Sequence, residues 1–349
     1  MIASGVPAGA AGLVALRVAL LQCDHGVCYG QRVPALFQQY FKPSIDSGRM
    51  EIKPYDVHKL EFPDWSQVDA VIISGSAASV NDSEEWIDRL CQEVKGLSDS
   101  GKRVLGVCFG HQIVAKALGG QVGAHPKGMQ VGPREFRVSA EGERALRWPN
   151  PTYRLRVSHS DMVTKMPPGA LSLGLSPECA VEGMLIGSNV LSLQGHPEFG
   201  TEIGIPSQQD LAKLFKEKGF ISTEKTESWC KSAEDSLLES EGVDRIRESL
   251  TSFLLEGVPG KPDRQPIMGF GSLLSEASAR STFPNLANFR LARLRGYKRV
   301  MQHPAAVFFT RGISNLVTKE MASLSIEPDP EGDFLVAAFD LPAGFGFGV

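Results

Sequence analysis

Short apolar runs alternate with helix-period segments along the first two thirds of the chain. Leu16 to Gln22 (LRVALLQ), Val68 to Ser74 (VDAVIIS), Arg103 to Val107 (RVLGV) and Val190 to Gln194 (VLSLQ) are brief and mostly apolar. This is the pattern of strands buried on both faces of a parallel sheet. Helical spacing of apolar positions marks Glu84 to Leu97 and Phe109 to Leu118, so strand alternates with helix and an α/β layered fold is expected. Glu135 to Ser139 and Arg154 to Val157 are more polar and separated by turn residues; they fit edge or antiparallel strands, which makes the sheet mixed but mainly parallel, with flanking helices. From Gln208 to Gly257 the period is helical and charged, and Val258 to Pro266 (VPGKPDRQP) then carries three prolines in nine residues. A linker is expected there. The chain is accordingly divided into a leader (1–15), an α/β domain (16–257), a linker (258–266) and a small, partial α+β or β domain (267–349).

Composition narrows the class. The 349 residues, 42% hydrophobic and 22% charged, describe a globular chain long enough for about two domains. A net charge of -4 offers no basic face to nucleic acid, which is set aside as a partner. Six scattered cysteines do not form a disulfide framework and favour a reducing, cytoplasmic setting. No apolar run approaches the roughly 18 residues of a membrane span. Residues 1–12 lack the basic stretch of a signal peptide, and no membrane partner is expected.

Chemistry concentrates in two segments. In Val104-Leu105-Gly106-Val107-Cys108-Phe109-Gly110-His111-Gln112 an apolar strand runs into Cys108 and a helix starts directly after it. This is a nucleophile elbow: the sharp turn lifts the cysteine clear of the sheet, and Gly106 and Gly110 remove side chains that would crowd it. The helix N-terminus stabilises negative charge on the sulfur, and the Phe109 N–H is placed to bind an oxyanion. The second segment, Gln194-Gly195-His196-Pro197-Glu198, follows an apolar strand. In an extended stretch His196 and Glu198 point to one side, so the carboxylate orients the imidazole and a Cys-His-Glu triad results.

GVCFGHQ followed by QGHPE resembles the class I glutamine amidotransferase family. ISGSAASVND (Ile72 to Asp82), KGMQVGPREF (Lys127 to Phe136) and VSHSDMV (Val157 to Val163) stand in that family's order, and the likeness covers Leu16 to about Gly204. Within the family the chain is most similar to stand-alone gamma-glutamyl peptidases. The resemblance implies a class I glutamine amidotransferase-like, flavodoxin-like α/β fold, with Cys108 as nucleophile, His196 as base and Glu198 as its orienter. It implies an oxyanion hole from N–H groups at Gly75 or Ser76 and at Phe109, and a glutamyl site built from Gln112 and Ser158, His159 and Ser160. Many members have Gly-Gly-Pro where this chain has Gly75-Ser76-Ala77.

The implied reaction is hydrolysis of a small gamma-glutamyl amide through a thioester. It needs no metal or organic cofactor, and neither H-E-x-x-H nor paired C-x-x-C occurs. Cys23 and Cys28 fit no metal spacing, and His111 reads as structural. The basic cluster Arg290, Arg293, Arg295, Lys298 and Arg299 reads as a solvated face. Two rival readings stand beside the hydrolase: a glutaminase feeding ammonia to a synthetase partner in trans, and a catalytically silent binding module. Downstream, IMGFGSLL (Ile267 to Leu274), LRGYKRV (Leu294 to Val300) and FLVAAFDL (Phe334 to Leu341) resemble the opening of a gamma-glutamylcyclotransferase-like domain. That family places its catalytic Glu beyond the strand matching FLVAAFDL, and the chain stops at Val349, so no cyclotransferase activity is expected.

Overall fold

A computed structural model describes residues 15–146, 152–235, 240–258, 264–269, 275–282, 286–304 and 322–342. Residues 1–14 of the leader, the proline-rich stretch 259–263, the Gly-Ser turn within 270–274 and the apolar end Phe345 to Val349 lie outside the described residues. The chain divides into two compact units, 1–263 and 264–349.

In the first unit, β1 (Leu16–Gln22) leads through α1 (Val33–Tyr40) and α2 (Lys42–Asp46) to β2 (Met50–Asp56) and β3 (Ala70–Ile73). Helix α3 (Glu85–Ser100), β4 (Arg103–Val107) and α4 (Phe109–Ala117) follow, then β5 (Gln121–Ala124), β6 (Gln130–Val138) and α5 (Ala140–Leu146). Strands β7 (Thr152–His159), β8 (Asp161–Lys165), β9 (Leu171–Leu175), β10 (Gly183–Ile186) and β11 (Val190–Leu193) come next, and α6 (Gly204–Glu217), α7 (Thr223–Glu234) and α8 (Ser240–Glu256) end the unit. Nine strands form one sheet in the order β2-β1-β3-β4-β11-β10-β9-β6-β7, and β5 pairs with β8 apart from it.

Alternation along the buried strands divides the core in two. Val18, Leu20, Ile72, Leu105 and Leu191 face α1 and α8, meeting Val33, Phe37, Ile246, Leu250 and Phe253. Ala19, Leu21, Val71, Ile73, Val104 and Val190 face α3 and α4, meeting Ile87, Leu90, Val94, Ile113 and Val114. Each large side chain fully buried this way contributes about 1.5–3 kcal/mol, and strands covered on both faces explain why their sequences read as continuous apolar runs.

The sheet is mixed, with its antiparallel part larger than two edge strands. Four pairings are parallel and four are antiparallel. Strands β9 and β10 account for the difference. They have five and four residues among Gly, Ser and Pro, and carry too short an alternation to stand out from turns. Pro54 lies within β2, which tolerates it as an edge strand.

The second unit holds β12 (Arg264–Gly269), α9 (Glu276–Thr282), β13 (Ala287–Pro304) and β14 (Ala322–Pro342), with the strands in the order β12-β14-β13. The stretch 258–266 is not a free connection throughout. Val258 is buried in the first unit's core, and β12 pairs with β14 from Arg264 onward. Pro266 is accommodated there because β12 is an edge strand, which can leave a missing N–H on its open side.

Strands β1, β3, β4 and β11 are mutually parallel, so their carboxyl ends share one edge of the sheet. Strand order reverses between β1 and β3, where open α/β sheets form their binding crevices.

Candidate active site

Cys108 occupies the turn from β4 to α4 with φ 54° and ψ -104°. Leu60 is the other non-glycine residue with positive φ among the described residues. Such a conformation costs of order 1–3 kcal/mol and persists where surroundings impose it. Here the Cys108 N–H donates to Leu193 O at 2.8 Å, extending the β4–β11 ladder into the turn. A methyl group at Gly106 would stand 2.5 Å from Gly110 O, and one at Gly110 would collide with Ile73 O, so only glycine lets the turn approach the sheet this closely. The thiol is 3% exposed and its Sγ lies 3.7 Å from Ser158 O.

His196 and Glu198 converge by a route other than strand alternation. Pro197–Phe199 is a 3-10 turn with His196 at its N-cap position, and the His196 N–H donates to Arg156 O at 2.7 Å. The turn folds the carboxylate back, placing Glu198 Oε1 2.7 Å from His196 Nδ1. The extended geometry expected from sequence is therefore replaced by a proline-initiated turn, for which Pro197 supplies the fixed φ. The imidazole stacks on Phe199 with centroids 4.4 Å apart and an interplanar angle of 11°. Burial alone would lower the His196 pKa, but the charges of Glu198 and Cys108 and the hydrogen bond to Glu198 outweigh it and raise it to about 10. A charged imidazole that interacts with a cysteine at the head of a helix is a cysteine–histidine arrangement suited to attack on a carbonyl.

Two residues of the β1 loop belong to the site and escaped the sequence reading. The Tyr29 hydroxyl donates to Glu198 Oε1 at 2.9 Å and accepts the Gly75 N–H at 3.3 Å. Asp24 takes the Gly26 N–H at 2.5 Å on Oδ1 and the Ala77 N–H at 2.6 Å on Oδ2. The second contact gives the Gly75-Ser76-Ala77 departure a meaning, since a proline at 77 would have no N–H for Asp24. The available signal was position: a polar loop at the carboxyl end of β1, beside the strand-order reversal.

The remaining expected residues fall into two groups. Gly75 lies against His196, where an added methyl would stand 2.9 Å from the ring Cε1. Its N–H is directed to Tyr29. Ser76 is next in that loop, with its Oγ accepting the Ala78 N–H at 3.1 Å. Phe109 is the first residue of α4, where helix N–H groups have no partner within the helix. Gln112, in contrast, donates its Nε2 to Asp161 O at 2.8 Å and Gln194 Oε1 at 3.2 Å. His159 is buried with Nδ1 2.9 Å from Asp161 O, and burial pushes its pKa down to about 4. Ser160 is exposed, and its carbonyl accepts the His125 N–H at 2.7 Å. Ser158 thus touches the sulfur, while Gln112 and His159 direct their side chains into the framework between β7 and β8. Among the described residues no group of three or more His, Cys, Asp or Glu is placed to hold a metal ion, and no helix is long and apolar enough to cross a membrane.

A flavodoxin-like sheet carrying a cysteine on the β4–α4 turn, with a buried His–Glu pair at the next parallel strand end, defines an amidotransferase-like α/β protein. The family model of glutamine amidotransferase class-I matches residues 41–216, and the chain belongs to this family. It is 31% identical to gamma-glutamyl peptidase 3 of Arabidopsis thaliana over 188 residues, 50% of this chain and 75% of that one. A glutamine amidotransferase-like protein of Schizosaccharomyces pombe is 28% identical over 235 residues, 65% and 91% of the two chains. In three dimensions the chain is similar to a glutamine amidotransferase from Thermotoga maritima, with a TM-score of 0.56, 19% identity, and 69% of this chain and 98% of that chain covered.

Proposed function

We propose that this protein is a cysteine hydrolase that cleaves gamma-glutamyl amide bonds, as in glutathione, its conjugates or glutamine, through a thioester on Cys108. The observation that carries the reading is the buried His196–Glu198 pair at 2.7 Å, whose charge keeps an imidazolium beside the elbow sulfur. The Cys108 thiolate attacks the gamma-carbonyl carbon, and the Phe109 and Ser76 N–H groups receive the developing oxyanion. His196 gives its proton to the leaving amine nitrogen as the C–N bond breaks. Water then attacks the thioester while His196 takes its proton, and the C–S bond breaks to release glutamate and restore the ion pair. The relatives named gamma-glutamyl peptidase support a peptide or conjugate as substrate, and the six unpaired cysteines support a reducing, cytoplasmic setting.

The test is glutamate release from glutamine, glutathione and a glutathione S-conjugate offered in parallel, with Cys108→Ala as the blank. Peptide turnover that falls by at least about 10^3-fold in Cys108→Ala is the expected result. Turnover of glutamine alone, with ammonia released, would replace the peptidase with a glutaminase serving a synthetase in trans. No turnover, together with Cys108 alkylated no faster than the other five thiols, would leave a binding module.

A further inference from the structure

Tyr29 stands 169 residues from Glu198 in the chain and is 5% exposed. Its hydroxyl and the His196 ring meet the same carboxylate oxygen, at 2.9 and 2.7 Å. On its other side the hydroxyl receives the Gly75 N–H. A backbone N–H only donates, so the Tyr29 oxygen must accept there, and its single proton is left for Glu198. Burial and the Glu198 charge raise the phenol's pKa well above its ordinary value, so the proton stays in place. The ring sits edge-on to His196 at 5.5 Å and 83° and to Phe199 at 5.7 Å and 90°.

The terminal torsion of a glutamate is broad and soft. A single hydrogen bond from the imidazole would leave the carboxylate free to swing, and the imidazole with it. A second donor on the same oxygen removes that freedom. The donor is itself anchored to the loop that carries Ser76, so base and oxyanion-binding backbone share one frame.

We infer that Tyr29 is a positioning residue that locks Glu198 Oε1 onto His196 and ties the relay to the Gly75–Ser76 loop. The role rests on the hydrolase reading above for its kinetic arm. It leaves Tyr29 out of direct contact with the reacting atoms and gives it an effect exerted through Glu198.

Tyr29→Phe keeps the ring contacts and removes the hydroxyl. The experiment compares wild type, Tyr29→Phe, Glu198→Gln and the double variant in the full chain, with melting curves to confirm folding. On the gamma-glutamyl substrate that wild type turns over best, Tyr29→Phe should lower kcat about tenfold to a hundredfold, the size of one hydrogen bond to a charged group. KM should stay within about twofold. The double variant should be no slower than Glu198→Gln alone, because an effect exerted through Glu198 disappears with the carboxylate. A Tyr29→Phe enzyme within about twofold of wild type, or losses that multiply in the double variant, would overturn the role.

Alkylation of Cys108 by iodoacetamide at neutral pH needs no substrate and should slow about tenfold in Tyr29→Phe. If no gamma-glutamyl compound is turned over, the hydrolase reading fails and this arm still decides for or against Tyr29. Should Tyr29→Phe melt below the assay temperature, 3-fluorotyrosine at position 29, a more acidic phenol of nearly the same shape, takes its place. It should change the alkylation rate by more than about twofold, and an unchanged rate would overturn the inference.

Discussion

Two buried histidines in the first unit have opposite chemistry. His111 lies on α4 with no exposed surface and its Nδ1 2.9 Å from Ser192 Oγ; burial pushes its pKa down to about 3. His196 is 4% exposed, feels the same penalty, and is raised to about 10 because Glu198 and Cys108 outweigh it. Burial alone therefore makes a histidine neutral and inert. A histidine keeps its proton where a carboxylate is buried with it, and the fold supplies that carboxylate through a proline-started turn two residues away.

The largest effect should come from erasing that distinction. Glu198→Gln gives His196 a neutral partner, as His111 has in Ser192, so burial would dominate and the imidazolium would be lost at neutral pH. The kcat should fall about 10^2- to 10^4-fold, the scale seen when a triad carboxylate becomes its amide. Cys108 alkylation at pH 7 should slow in parallel. An enzyme retaining activity within about tenfold would mean that the carboxylate does not set the charge on His196.

The same contrast shows what could be read from the sequence. The buried parallel strands, the elbow and the His196–Glu198 spacing are local signals: apolar runs, two glycines around a cysteine, and a proline between two chemical residues. Tyr29 was invisible because its meaning depends on Glu198, far along the chain, and on Gly75 from a third segment. Asp24 is similar, since its carboxylate is explained only by the Ala77 N–H. Strands β9 and β10 were missed for a different reason, being shorter than the window over which alternation separates from turn composition. Gln112 and His159 stand at motif positions of the resemblance, yet their hydrogen bonds run into the framework, a distinction that spacing does not encode.

A smaller effect separates the two histidines from the other direction. His111→Gln keeps a polar group in reach of Ser192 and removes no part of the relay, so kcat should stay within about threefold while stability drops about 1–3 kcal/mol. A loss of kcat beyond about tenfold in a folded variant would place His111 in the chemistry.

The smallest effect is in the pH dependence of stability. A histidine held at about 3 when folded and at its ordinary 6.5 when unfolded takes up its proton first in the unfolded state. As pH falls from 6.5 towards 3, the unfolded chain is favoured, and each such histidine steepens the loss by about 1.4 kcal/mol per pH unit. His159, at about 4 when folded, adds the same slope between 6.5 and 4. Urea denaturation between pH 4 and 6.5 should therefore give a shallower acid slope in His111→Gln than in wild type, by about one proton. An unchanged slope would mean that His111 takes up its proton in the folded chain after all, and the contrast with His196 would rest on geometry alone.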